Sequence, residues 1–261
     1  MRVTQHTLIN NALNLRLAFI SDLHSRPYDA ILDGIRKEKL DIILVGGDVI
    51  HDGDHIAEGL SFLRAAAAIA PTFCSLGNHE LKVADRVRDR MIATGAVLLD
   101  DDFVTFGGLV IGGLTSGFAN TKQGRFKETP KPNMDWLPRF CDTEGVHILL
   151  SHHPEYYPRY LQGLPIELIL SGHAHGGQWR FFGQGIFAPG QGFLPRFTAG
   201  AYRQNRKEKK DLTLSSDNSL LIVSRGLANN SIIPRLNNPL EWHILELTSD
   251  KSFADPHRNI R

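Results

Sequence analysis

The chain has 261 residues, a formal net charge of +1, 42% hydrophobic and 22% charged residues. This is an ordinary globular balance, long enough to bury a large core, with no global field for nucleic acid or an anionic membrane. Two cysteines, Cys74 and Cys141, are too few for a disulfide framework or a zinc ribbon.

Nine short apolar runs of strand type follow in chain order: Leu15–Ile20, Asp41–Val45, Thr72–Leu76, Phe103–Phe106, Leu109–Leu114, Val146–Leu150, Ile166–Leu170, Leu220–Val223 and Trp242–Leu247. Each is bounded by Gly, Pro, Asn, Asp or Ser. Helical spacing fills the early gaps. Tyr28–Lys39 aligns Ile31, Leu32 and Ile35; Asp54–Ala70 aligns Ile56, Leu60, Leu63 and Ala67; Glu80–Thr94 aligns Val83, Val87, Met91 and Ile92. Strand–helix alternation over the first hundred residues predicts βαβ units and a largely parallel sheet. Gly107-Gly108 between two apolar runs predicts a hairpin over 103–114, and with it a second sheet. The runs near Leu220 and Trp242 have no strong helix between them and are expected to pair with that second sheet.

Residues 115–145 and 176–218 lack a regular pattern and read as elaborations around a site. We expect one domain over 1–261, with its core from about 15 to 248. No leader peptide is legible, and no run of ~18 apolar residues could span a membrane. The expected location is cytoplasmic. Cys74, in an apolar run, reads as a buried thiol.

Histidine is the anomaly, with 12 copies. Five polar motifs close apolar runs: Ser21-Asp22-Leu23-His24, Gly46-Gly47-Asp48, Gly77-Asn78-His79-Glu80, Ser151-His152-His153-Pro154 and Gly172-His173-Ala174-His175. C-terminal strand edges form the ligand crevice of open α/β sheets, so the five would deliver their side chains to one place. Carboxylates plus imidazoles are the donor set of a hydrolytic two-metal site, with metals roughly 3.5–4 Å apart. Asp48 is the natural bridge, because the glycines before it allow close backbone approach. Asp22 with His24, and His173 with His175, stand two apart, which on extended backbone points each pair one way. Asn78 adds a neutral oxygen, and His79 should point elsewhere, toward a leaving group. Singly, each motif also reads as a cap or turn; together and in order they read as a metal site. Either His152 or His153 could be the ligand.

The ordered set Asp22-x-His24, Gly47-Asp48, Gly77-Asn78-His79-Glu80, His152, Gly172-His173-x-His175 resembles the calcineurin-like metallophosphoesterase superfamily over roughly residues 15–248. Gly176-Gly177-Gln178, Ser224-Arg225-Gly226-Leu227 and the stretch from Pro239 to Leu247 further resemble a bacterial branch of small phosphodiesterases. The resemblance implies an α/β fold of two packed mixed β-sheets flanked by helices, in four layers. It implies two divalent cations, for which Mn²⁺ is the first expectation and Fe or Zn alternatives. Asp22, His24 and His175 would hold one, Asn78, His152 and His173 the other, with Asp48 between. It selects His152 over His153 as ligand, by its position two residues before Pro154. A metal-bridging hydroxide would attack a phosphodiester or phosphoanhydride, and His79 would protonate the leaving oxygen.

The chain departs from the family pattern after Asp48. Val49-Ile50-His51-Asp52 has no arginine where the Ser/Thr protein phosphatases grip phosphate, which argues against that activity. His51 stands where an aspartate often supports the catalytic histidine, with Asp52 following, so His51, Asp52 and Arg225 are candidates for supporting the site. The implied substrate is a small phosphate-containing or lipid-linked molecule, with room for peripheral membrane contact. A nuclease of the same superfamily is the alternative, disfavoured by the near-zero charge, and a non-catalytic metal-binding interaction protein is another. Two features stay open. The basic run from Arg203 to Lys210 reads as an anion clamp or a solvated loop. Trp179, Phe181, Phe182, Phe187 and Phe193 read as an apolar groove or as packing of the long loop.

Overall fold

A computed structural model describes residues 1–10, 12–51, 55–119, 129–204, 206–208, 212–229 and 234–249. Its strands in chain order are β1 (Arg2–Ile9), β2 (Leu15–Ile20), β3 (Ile42–Val45), β4 (Thr72–Ser75), β5 (Val97–Leu99), β6 (Asp102–Phe106), β7 (Leu109–Leu114), β8 (Val146–Ser151) and β9 (Leu168–Ser171). Then come two small ribbons, β10 (Arg180–Phe181) with β11 (Gln184–Gly185) and β12 (Phe187–Ala188) with β13 (Gly192–Phe193). The last strands are β14 (Gly200–Arg203), β15 (Arg206–Glu208), β16 (Leu220–Val223) and β17 (Glu241–Thr248).

One sheet has the order β1-β17-β2-β3-β4-β5 and the other β15-β14-β16-β9-β8-β7-β6. In the first, β2 to β5 are parallel, while β17 runs antiparallel to β2. In the second, β7, β8, β9 and β16 are parallel, with β6 and β14 antiparallel at the flanks. The fold is α/β with two mixed sheets and flanking helices, as expected.

Strand alternation sorts the core into layers. Leu17, Phe19, Ile42, Leu44 and Phe73 of the first sheet meet Leu109, Ile111, Ile148, Leu150, Leu168 and Ile222 of the second. The alternate residues Ala18, Ile20, Ile43 and Val45 face helices α1 (Asp29–Lys37), α2 (Ile56–Ala67) and α4 (Ala84–Ile92). On the far side of the second sheet, Val110, Leu149, Ile169 and Leu221 pack under Phe140 of α5 (Leu137–Cys141), Tyr156 and Tyr157. Cys74 sits in β4 at 0% exposure. Burial, with the charge of Glu80 behind it, pushes its thiol up to about 12, which makes it a small inert hydrophobe.

Three expectations are corrected. β17 joins the first sheet beside β2, not the second; only β16 joins the second. Its burial on both faces, Trp242 and Ile244 with the helices and Leu245 and Leu247 between the sheets, suits an interior strand of the first sheet. β1 was not anticipated, because RVTQHTLI alternates with too many polar residues to stand out; it forms the edge, parallel to β17. The helix expected over 80–94 is two: α3 (Asn78–Leu81) and α4, broken at Val83 with φ −129° and ψ 22°. The first turn is held to the β3 loop by Glu80, whereas Val87 and Met91 must face the α2 layer. One straight axis cannot meet both demands.

Among the described residues, no helix is long and apolar enough to cross a membrane.

Candidate metal centre

The loops after β2 and β3 are laced together beyond the strands. Gly46 N–H donates to Ile20 O at 2.8 Å, Asp22 N–H to Gly47 O at 3.1 Å, and His24 N–H to Asp48 O at 2.9 Å. Across the gap between sheets, His173 N–H donates to Asp22 Oδ1 at 3.0 Å. The backbone here is not extended, which corrects the expected two-residue alternation. Asp22, His24, Asp48, His173 and His175 have φ of 54°, 48°, 52°, 60° and 45°. Left-handed turns aim these side chains, at a conformational cost that surrounding bonds must offset. Close approach is also required of the neighbouring loops. A Cβ on Gly77 would lie 2.2 Å from Asp48 Oδ1, and one on Gly172 would lie 2.3 Å from Asp22 Oδ2.

Four groups of ligand atoms converge among the described residues, one of them His24, His51 and His79; two adjacent groups hold the expected ligands. Asp22, His24 and His175 bring one ligand atom each within 4.8 Å of one another, and so do Asp48, His152 and His173. His175 Nε2 lies 3.6 Å from Asp22 Oδ1, and His152 Nε2 lies 3.1 Å from Asp48 Oδ2. Asp48 Oδ2 also lies 3.8 Å from His24 Nε2, so this carboxylate faces both clusters. Its other oxygen accepts the His79 N–H at 2.8 Å, which sets Asn78 and His79 beside it.

The donor set fits divalent cations. His24 Nε2, His152 Nε2 and Asn78 Oδ1 are buried with no hydrogen-bond partner, a costly state unless another group meets them. Asp22 and Asp48 are 0% and 1% exposed, and their ion-pair neighbours are histidines. His152 Nδ1–H donates to Gly46 O at 2.7 Å, which fixes the ring with Nε2 turned inward, the usual arrangement of a ligating imidazole.

Burial holds His24 and His173 well below the usual imidazole range, and His175 below it. Burial alone would raise Asp48, but the charges of His152 and His79 hold it well below the carboxylate range. Burial would likewise lower His152, yet Asp48 and Asp22 beside it, with the Gly46 carbonyl, bring it up to about 10. A proton on His152 Nε2 therefore competes with a cation for the same lone pair.

His79 sits at the rim, its ring 4.7 Å edge-on from His24 and 5.1 Å stacked on His51. His51 N–H donates to Ser25 Oγ at 3.0 Å. Asp52 lies outside the described residues. Arg225 turns to Glu241, with Nε 3.4 Å from Oε2, an ion pair one residue before Gly226, which abuts Asp22. His153 is fully buried, 2.7 Å from Ser116 Oγ and 3.5 Å from Glu155 Oε1.

Three contributors had no role in the sequence reading. Glu80 is buried and accepts N–H groups of Asp48, Ile50 and Gly77, each at 2.9 Å. Burial and the charge of Asp48 push it up to about 7. Its signal was its place directly after His79. Glu155 forms a third cluster with His153 and His173, and its signal was its place just after His153-Pro154. Arg235 Nη2 lies 3.1 Å from His175 Nδ1, and burial brings its guanidinium down to about 10. Sixty residues separate Arg235 from His175, and no local pattern joins them.

Two sheets in four layers, with paired His/Asp clusters at their strand ends, define the class. The profile for calcineurin-like phosphoesterase matches residues 15–177, and the chain belongs to that family. It is similar to "Uncharacterized protein YpbG" of Bacillus subtilis (strain 168), 26% identical over 238 residues, covering 89% of this chain and 81% of that one. It is also similar to "Phosphodiesterase YaeI" of Escherichia coli (strain K12), 28% identical over 208 residues, covering 73% and 71%. Two further bacterial relatives are longer, the match spanning 45% of each. Among solved structures, Thermus thermophilus sulfate thiohydrolase SoxB in complex with glycerol shares the fold, with TM-score 0.51 and 14% identity over 92% of this chain and 58% of that one.

Proposed function

We propose that this protein hydrolyses a phosphodiester or phosphoanhydride with two divalent cations, Mn²⁺ first among them. The observation that carries this reading is the pair of adjacent clusters with Asp48 facing both. Asp22, His24 and His175 would hold one ion and Asn78, His152 and His173 the other, with Asp48 available to both. The ions supply Lewis acidity and lower the pKa of water from ~15.7 towards ~7.

The remaining work falls to the chain. Gly46 O orients His152, and Glu80 pins the Asp48, Ile50 and Gly77 amides so that Asp48 cannot drift. His79, at the rim, gives a proton to the leaving oxygen. Arg235, beside His175, supplies positive charge for the substrate's phosphate. A diester is favoured over a phosphoprotein because no arginine follows Asp48, and the name of the E. coli relative supports the same class. The two thiols are free, which supports a reducing compartment, and we place the protein in the cytoplasm.

The test is hydrolysis of a bis-aryl phosphate by metal-stripped protein, before and after Mn²⁺, Fe²⁺ or Zn²⁺ is restored. We expect no turnover without metal and recovery with Mn²⁺ at two ions per chain. Full turnover by stripped protein in excess chelator would refute the reading.

A further inference from the structure

The ribbon β10–β11 turns through Phe182-Gly183, with φ of 49° and 83°. A two-residue hairpin with both central residues left-handed selects Asn-Gly or Asp-Gly. Phenylalanine is a poor choice there, since its Cβ is crowded and it makes no local hydrogen bond. It is also 109% exposed, a side chain projecting with nothing beside it. The anomaly recurs just past the adjoining ribbon. Leu194 has φ 49° and is 69% exposed, next to Phe193 at 77%. Two strained turns thus hold large apolar groups out into water.

These turns form one surface. Leu194 N–H donates to Ile186 O at 2.8 Å, Gln184 Nε2 to Pro195 O at 2.8 Å, and Ile186 N–H to Trp179 O at 2.9 Å. Trp179, Phe181 and Leu236 extend the exposed apolar area. The surface is tied to the metal centre, because Ile186 N–H also donates to Gly177 O at 3.0 Å, two residues from His175. Charge is concentrated in the same stretch. Residues 176–210 carry seven Lys or Arg against one Glu, in a chain of net charge +1, although Arg180 is buried and bonded to Gly176 O and Thr198 Oγ1. Arg196, Arg206 and Lys207 are exposed.

We propose that this surface docks on an anionic lipid bilayer, with Phe182, Phe193 and Leu194 entering the interface and the cations meeting the headgroups. Projecting tips suit a bilayer, which closes around any convex apolar group and accepts Trp at its polar boundary. A protein partner would need a complementary pocket for each tip. Arg196, exposed two residues from Leu194, matches an anionic headgroup layer. The inference does not depend on which phosphoester the centre cleaves, because docking is read without turnover.

The test uses the full chain and sedimentation with phosphatidylcholine vesicles, with and without phosphatidylglycerol. Trp179 is the built-in probe, since Trp136 and Trp242 are buried. We expect binding to phosphatidylglycerol vesicles, weakened by salt, with a blue shift of tryptophan emission. Phe182→Asn with Leu194→Asn introduces residues that tolerate left-handed backbone and should weaken binding about 10-fold or more. Its melting temperature and its turnover of a soluble aryl diester should match the parent. Arg196→Glu should weaken binding only to the charged vesicles. Equal binding by parent and double variant, or no binding by the parent, overturns the proposal. So does a parent dimer that the double variant dissolves, which would assign the surface to a second copy of the chain.

Discussion

Asp48 divides its carboxylate, giving Oδ1 to the His79 amide and turning Oδ2 towards His152 and His24. Asp48→Asn removes the charge shared by both clusters, so we expect metal content and turnover to fall together, measured by elemental analysis beside the diester assay. His79→Ala leaves both clusters intact; we expect two metals per chain but a kcat lower by ~10²–10⁴, the usual worth of a positioned acid. Unchanged kcat in that variant would remove His79 from the proton transfer. Glu80→Ala orphans three buried N–H groups, at about 1–3 kcal/mol each, so the metal-free protein should lose at least ~3 kcal/mol in urea unfolding. The ligand candidates were legible because each is a polar residue just past the end of an apolar run, with glycine beside Asp48, Asn78, His173 and His175. Glu80, Glu155 and Arg235 had no such mark, because they act through folded-state contacts. Left-handed φ at Asp22 and His24 was hidden for the same reason: long-range bonds to Gly47, Asp48 and His173 select it.

The β1–β17 edge contains a buried histidine pair, His6 and His243, 3.1 Å apart. Burial pushes His243 down to about 3 and also lowers His6, although Glu241 pulls both the other way and Arg2 and Arg225 oppose it. The unfolded chain takes a proton on this histidine near pH 6.5, whereas the folded chain refuses it until about 3. Stability is therefore present above pH 6.5 and lost as pH falls. Between pH 7 and 5 the loss from His243 should be about 2 kcal/mol, read from urea midpoints. His243→Gln should reduce the pH 7-to-5 loss by about that amount, the remainder coming from the other buried histidines with lowered values; an unchanged slope would remove His243 from the acid sensitivity. Hairpin β6–β7 was readable from Gly107-Gly108 alone. The pairing of β17 was not, since an apolar run buried on both faces says nothing about which sheet takes it.

At the scale of the whole molecule, the layer between the sheets holds the two halves of the centre together. Asp22, Asp48 and Asn78 come from the ends of β2, β3 and β4; His152, His173 and His175 come from β8 and β9. Leu44 and Leu150 sit in that layer at 0% exposure. Leu150→Ala, one residue before β8 ends, should cost about 2–5 kcal/mol. It should also weaken binding of the second metal more than the first, because His152 rides on that strand. Equal weakening at both sites, by titration calorimetry, would mean that the sheets do not transmit the change.

What the amino-acid order alone determined here was chemistry and period: which residues are candidates for ligand atoms, which apolar runs form most of the core strands, and where the β6–β7 hairpin turns. Those follow from short-range sterics and hydrophobic spacing. Only the tertiary structure decided which sheet β17 enters, that Glu80 and Arg235 serve the centre, and that Phe182 and Leu194 stand in water. Each depends on contacts between residues far apart in the chain, or on a contact that the folded chain does not make, and neither leaves a local pattern to read.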